Sequence, residues 1–323
     1  MTSRHRSSRP VLLRHVFDDP TDVVRLLERG APYTPLGGWM RPGLEPDAPT
    51  SVMWFQEDWV HADFRLSGAE LFLDHPAYFE AARRFWGMHE IVPHSVYVNL
   101  MVNLCEAGPA HTDNPKFRGR ERSNTPMWLL RLMFWSGLFR RWEIPQATAI
   151  FWLDDVAEGG GLAYWADGPE NPAHRHAAAM ANTTLVGDNH HMFHQVEPVG
   201  PFAGGTRRVT ARAELTPAGD GSGDWAVRDR GREVFRAPLS GYRVSVLWKA
   251  DVYESAAERE RLRDDTLSLE DVATTFDRDL AARGVSLRFD PARLEDPSLR
   301  RDIAAVYPEP VPLGARPSIY DYP

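Results

Sequence analysis

Cysteine is almost absent from this sequence: Cys105 is the single one among 323 residues. An intrachain disulfide and the thiolate metal motifs are therefore excluded, and the usage fits a reducing, cytoplasmic setting. No apolar run approaches the length of a membrane-spanning helix, so no membrane association is expected. Residues 1–10 are basic and Ser-rich but lack an apolar stretch, and so read as a flexible tail rather than a signal peptide. Cationic charge is in short supply as well. Lys and Arg number 37 against 45 Asp and Glu, and the formal charge of -8 supplies no global attraction for nucleic acid or anionic lipid. Internal repeats and low-complexity tracts are missing. A small-molecule substrate is the partner these absences leave, with oligomeric state open.

What is present describes a folded chain: 43% hydrophobic and 25% charged residues, long enough for one large core with appendages. The 11 Trp residues read first as packing and second as the lining of a roomy pocket. An N-terminal region, 11–94, carries helical pattern. Asp19-Pro20-Thr21-Asp22 starts a helix that Gly30 stops, and a second helix is expected from Pro76 to Trp86. The Pro- and Gly-rich stretch 32–49 between them reads as a surface loop or a lid. A core follows over 95–250. From Ser95, Tyr97, Asn99, Met101 and Asn103 alternate with Val96, Val98, Leu100, Val102 and Leu104, a strand with one apolar face and one face polar enough to meet a ligand or solvent. Further strands are expected over 147–153, 161–165, 183–186, 192–197 and 208–215, with one more over 241–247. Short strands at this spacing indicate a mainly β fold with flanking helices, a sandwich or jelly roll. Residues 251–323 read as two helices, 255–263 and 269–283, the second opened by Ser268 with Asp271 and closed by Gly284, then a Pro-rich tail wrapping the surface.

His111-Thr112-Asp113 lies just past the Tyr97–Asn103 strand. On extended backbone, residues i and i+2 project to the same side about 7 Å apart, so an imidazole and a carboxylate can converge on one cation. A third ligand is offered by Asn189-His190-His191-Met192-Phe193-His194. His194 sits among apolar neighbours in a strand, whereas His190 and His191 follow a turn, so His194 is the expected ligand. Two His and one carboxylate leave open positions on an octahedral ion, which suits Fe(II) binding a chelating cosubstrate and dioxygen better than four-coordinate zinc. Cys105, flanked by apolar residues, reads as a packing thiol.

The pattern His111-Thr112-Asp113, His194 and then Gly205-Thr206-Arg207-Arg208-Val209-Thr210 resembles the Fe(II)/2-oxoglutarate-dependent dioxygenases, over roughly residues 95–215. Trp152-Leu153-Asp154-Asp155 and Glu158-Gly159-Gly160-Gly161-Leu162 look like that family's strand and Gly-rich turn between its ligand motifs. The resemblance implies a double-stranded β-helix, the cupin-like jelly roll, with Fe(II), 2-oxoglutarate and O2 as cofactors and succinate and CO2 as coproducts. It implies Arg208 for the distal carboxylate of 2-oxoglutarate, Thr210 on the same face, Arg207 as a structural residue unless a bulge shifts the register, and Asn99, Asn103 or Tyr97 as further contacts. Because Asp113 keeps the carboxylate that halogenating relatives lack, hydroxylation or a related C–H oxidation is expected. The substrate is expected to be an amino acid or specialised metabolite, with a protein or peptide substrate, or a non-catalytic jelly-roll binding protein, as alternatives.

Overall fold

The computed structural model describes residues 9–36, 47–201 and 205–319. Most of the tail expected over 1–10, and the centre of the 32–49 stretch, lie outside the described residues. The chain opens with β1 (Val11–Arg14) and α1 (Thr21–Gly30), whose Val23, Leu26 and Leu27 recur at helical spacing and are buried. Strands β2 (Thr34–Pro35), β3 (Ser51–Val52), β4 (Trp54–His61) and β5 (Phe64–Arg65) follow, then α2 (Glu70–Leu73) and α3 (Pro76–Trp86). Pro76 suits the first turn of α3 because its φ is already helical, and Gly87 ends the helix at φ 63°, where a Cβ would be strained.

The middle of the chain supplies β6 (Glu90–Met101), α4 (Met127–Ser136), β7 (Gln146–Trp152), β8 (Leu162–Tyr164), β9 (His174–His176), β10 (Thr183–Gly187), β11 (His194–Val196) and β12 (Arg208–Val209). The last third adds β13 (Glu214–Pro217), β14 (Asp224–Asp229), β15 (Arg232–Pro238), β16 (Arg243–Tyr253), α5 (Ala256–Leu262), α6 (Leu269–Ala282) and α7 (Pro297–Val306). The capping box expected of Ser268 and Asp271 starts α6. Among the described residues, no helix is long and apolar enough to cross a membrane.

The large antiparallel sheet runs β1-β10-β7-β16-β6-β4-β2, and a smaller one runs β11-β8-β9. The smaller sheet is extended by the chain after β6, where Leu104 bridges Val199 and His111 bridges His194. Strand alternation sorts the core. Val96, Val98, Leu100, Ala149, Phe151, Val246 and Trp248 face outward and join Leu27, Phe72, Tyr78 and Phe85 of the N-terminal helices. Met101, Ile150, Trp152, Leu185 and Leu247 face inward and meet Leu162 and Val196 of the smaller sheet. Each such side chain contributes about 1.5–3 kcal/mol on burial, so the interior between the sheets is as firmly specified as the helix-covered face. A third cluster joins α4, α6 and α7 through Leu129, Met133, Phe276, Leu280 and Ile303.

Several elements differ from the sequence reading. The strand expected from Ser95 begins at Glu90 and stops at Met101, and Asn103 takes φ 55°. The strand expected over 208–215 is broken into β12 and β13. The strand expected over 241–247 continues to Tyr253 and sits between β6 and β7 at the middle of the large sheet, not at an edge. β1 and β4, from the region read as helical, complete that sheet, and the three-stranded β13-β14-β15 sheet was not anticipated as a unit.

Candidate metal centre

The site is assembled by strand pairing. His111 N–H donates to His194 O at 3.0 Å and His194 N–H donates back to His111 O at 2.9 Å, which sets the two imidazoles opposite each other with ring centroids 4.3 Å apart. Asp113 is anchored two residues on, its N–H donating to Asn189 O at 2.8 Å. Ligand atoms of His111, Asp113 and His194 all lie within 4.8 Å of one another, with His194 Nε2 3.8 Å from Asp113 Oδ1. With bonds of about 2.1 Å, neighbouring octahedral ligands sit about 3 Å apart, so modest side-chain rotation closes the group on an ion.

Both imidazoles are oriented by backbone carbonyls. His111 Nδ1 lies 2.8 Å from Pro109 O and His194 Nδ1 lies 3.2 Å from Met192 O. A carbonyl only accepts, so each Nδ1 carries the proton and each Nε2 keeps a lone pair. Burial lowers both imidazoles, His111 to about 3, because a charged ring would lose its hydration; this keeps them in the neutral, ligating form. Burial alone would raise Asp113, yet the Lys249 ammonium outweighs it and holds the carboxyl below the usual range. Lys249 Nζ lies 2.9 Å from Asp113 Oδ2, and burial, which would lower it, is outweighed by Asp113 and by Tyr97, so its charge is retained. These donors fit a divalent cation: two imidazole nitrogens and Oδ1 converge, while Oδ2 is neutralised from the other side.

The neighbouring histidines are used differently. His191 Nδ1 lies 2.8 Å from Asp188 Oδ2 and its Nε2 3.2 Å from Glu143 Oε1, away from the group of three. His190 is buried beside Asp113 without joining that group. Cys105, read as packed, is only half-buried, with its N–H on Thr206 Oγ1.

Of the residues expected at the cosubstrate, Tyr97 and Asn99 occupy the inner face of β6. Tyr97 lies under Lys249, with Nζ 5.8 Å from the ring centroid, and Asn99 Oδ1 accepts from Trp54 Nε1 at 2.9 Å. Asn103 does not share that face, because the strand has ended and its side-chain amide meets Pro201 O and Arg207 N. Arg208 donates to Thr50 O at 3.0 Å and Ile319 O at 3.3 Å, so its guanidinium serves to tie β3 and the C-terminal segment together. Thr210 donates to Asp229 Oδ1 at 2.6 Å and lines an outer cavity of about 510 Å³ with Asp47 and Arg230. Arg207 donates to Val234 O.

Arg243 was not anticipated. It opens β16 on the inner face, 2% exposed, with Nε donating to Gly160 O at 2.6 Å and Nη1 to Ser245 Oγ at 3.0 Å. Among the described residues no carboxylate pairs with it, and burial alone lowers it to about 9. The signal was in Arg243-Val244-Ser245, a charge at an inward position of an apolar strand, but β13 to β15 intervene and place it far from His194 along the chain. Arg131 was also missed; it donates to Thr112 O at 2.9 Å and steadies the segment between His111 and Asp113.

No family model matches the sequence, and no curated protein matches it. Among solved structures, it is similar to an oxidoreductase of the 2OG-Fe(II) oxygenase family from Burkholderia pseudomallei, at 12% identity over 75% of this chain and 84% of that one, with a TM-score of 0.42. A prolyl hydroxylase from Trichoplax adhaerens, solved with a hypoxia inducible factor peptide, overlaps at 11% identity over 81% and 89% of the two chains, with a TM-score of 0.41. An alpha-ketoglutarate-dependent epimerase from nogalamycin biosynthesis overlaps at 11% identity over 76% and 79%, with a TM-score of 0.40. At this level the overlap is coarse, and the reading of the site rests on its own geometry.

Proposed function

We propose that this protein is a mononuclear non-haem Fe(II) oxygenase that uses 2-oxoglutarate and O2 to oxidise a C–H bond of a small molecule. The observation that carries it is the convergence of His111, Asp113 and His194 inside the sandwich, each imidazole oriented by a backbone carbonyl to offer Nε2. Two facing antiparallel sheets with the ligands on the smaller one support a double-stranded β-helix, the jelly roll of such enzymes. Two nitrogens and one carboxylate suit Fe(II) with open positions better than a closed zinc site.

Bound iron with the oxo-acid supplies dioxygen activation, with succinate and CO2 released. The protein's part is placement and exclusion of water. His111, His194 and Asp113 would hold the metal, while Lys249 fixes Asp113 Oδ2. Arg243 with Ser245 replaces Arg208 as the candidate for the distal carboxylate of 2-oxoglutarate: a buried guanidinium with no carboxylate of its own fits an anionic ligand. Under exclusion of air, the protein is expected to bind one Fe(II) per chain and to develop a weak visible charge-transfer band when 2-oxoglutarate is added. Metal without such a band, together with no succinate against a panel of amino acids and small metabolites, would reject the oxygenase in favour of a binding protein.

A further inference from the structure

Thr148 Oγ1, Asn189 Nδ2 and both ring nitrogens of His190 are buried with no hydrogen-bond partner, and Asp113 Oδ2 has only its ion pair with Lys249. Buried polar atoms are nearly always satisfied, because losing water without replacement is costly. Such atoms on residues that the strand register makes neighbours mark a seat for something polar. Topology brings them together. Thr148 lies on the inner face of β7, register partner to both Lys249 of β16 and Gly187 of β10. Asn189 and His190 follow Gly187 directly, and Asn189 O accepts the N–H of Asp113. His190 is 4% exposed and lies near the charges of Lys249 and Asp113.

The character of the seat follows from its donors. Asn189 offers an amide N–H, neutral His190 one N–H, Thr148 a hydroxyl, and Lys249 stands beside them with an ammonium. The nearest carboxylate beyond Asp113, that of Asp188, is occupied by the N–H groups of His190 and His191 and by His191 Nδ1, and it stays 4.0 Å from His190 Nδ1. A donor-rich, buried seat next to an ammonium and a candidate metal site favours an acceptor-rich anion over a neutral or cationic group. Resting on the oxygenase reading, and distinct from the Arg243 position, we propose that Thr148, Asn189 and His190 form a subsite beside the metal for a carboxylate of the organic substrate, so that the substrate is a carboxylic acid.

The test uses full-length protein with 15N-labelled histidine, metal-free and loaded with Zn(II), titrated with acetate at constant ionic strength. The His190 ring signals, assigned by their loss in His190→Gln, are expected to shift saturably in both forms. Thr148→Val and Asn189→Leu should weaken acetate by about fivefold or more, the effect of one lost hydrogen bond, while circular dichroism and metal content stay unchanged. His190→Gln, which keeps a donor, should bind acetate better than His190→Phe in calorimetric titrations. Saturating 2-oxoglutarate on the Zn(II) form should leave the acetate shift in place. If it abolishes the shift, the seat belongs to the oxo-acid and the substrate assignment falls. If neither form shows a saturable shift, the seat holds buried water only and the proposal is overturned. Failure to bind Zn(II) or Fe(II) overturns the oxygenase reading instead, and the metal-free titration still decides the subsite.

Discussion

Two cations, Arg243 buried and Lys249 half-buried, divide the inner face of β16, and they have different partners. Lys249 meets Asp113, a carboxylate of the chain itself. Arg243 meets a carbonyl, a hydroxyl, the Met101 sulfur and the Trp152 ring and, among the described residues, no carboxylate. A buried cation without an anion is costly, and a bound carboxylate relieves that cost through charge-assisted hydrogen bonds. Arg243→Met is therefore expected to raise the 2-oxoglutarate concentration needed for half-maximal charge-transfer absorbance by about thirtyfold, the equivalent of about 2 kcal/mol for a charged hydrogen bond. Arg208→Met should leave that concentration unchanged while lowering the thermal midpoint, since its donors serve Thr50 O and Ile319 O. The reverse result would return the cosubstrate role to Arg208. The convergence of His111, Asp113 and His194 was legible in the sequence, because His111-Thr112-Asp113 and an apolar-flanked His194 are local patterns. Lys249 and Arg243 were not, because their meaning depends on which strand lies opposite them.

At the scale of elements, the C-terminal segment acts as a strap along the smaller sheet. Gln195, next to the ligand His194, donates to Gly108 O at 2.9 Å and Arg316 O at 2.8 Å and accepts from Arg316 N at 3.0 Å. Ile319 N–H then donates to Ala107 O, and the Ile319 side chain enters the interior between the sheets. The edge of the sheet that carries both histidines is thereby covered. Gln195→Ala orphans buried groups on both sides at about 1–3 kcal/mol each, and is expected to lower the unfolding free energy by about 2 kcal/mol or more and to expose 309–319 to limited proteolysis. Wild-type resistance in that segment would show that the strap is held elsewhere. Long periodic elements such as α3 and α6 could be read from the sequence, since caps and spacing are local. The broken strand over 208–217 could not: Thr210 turns to bond Asp229, which lies 19 residues later, and only the completed β13-β14-β15 sheet shows why. Nor could the length of β16, whose second half mixes Lys249 and Asp251 into an otherwise apolar pattern.

For the molecule as a whole, β16 is the spine, and its far end is fastened by a polar cluster that links separate parts of the chain. Asp251 receives Lys116 Nζ at 2.7 Å, from the loop after Asp113, and Gln146 Nε2 at 2.8 Å, from β7, and lies 3.3 Å from His94 Nε2, from β6. Burial would raise this carboxyl, but His94, Lys116 and Gln146 together hold it well below the usual carboxylate range. A carboxyl lowered on folding stabilises the native state fully above its unfolded value of about 3.9, and that contribution fades as pH falls towards the folded value. The unfolding free energy of the metal-free protein, measured by urea between pH 3 and pH 7, should therefore exceed that of Asp251→Asn most at neutral pH, where the substitution also leaves Lys116 without its closest anion. The gap should narrow below about pH 4 as the wild-type carboxylate takes up its proton. A gap constant from pH 7 to pH 3 would mean that Asp251 is not held ionised by the cluster, and that the joining of β6, β7 and β16 at this end rests on packing of Ala147, Ala250 and Val252 alone.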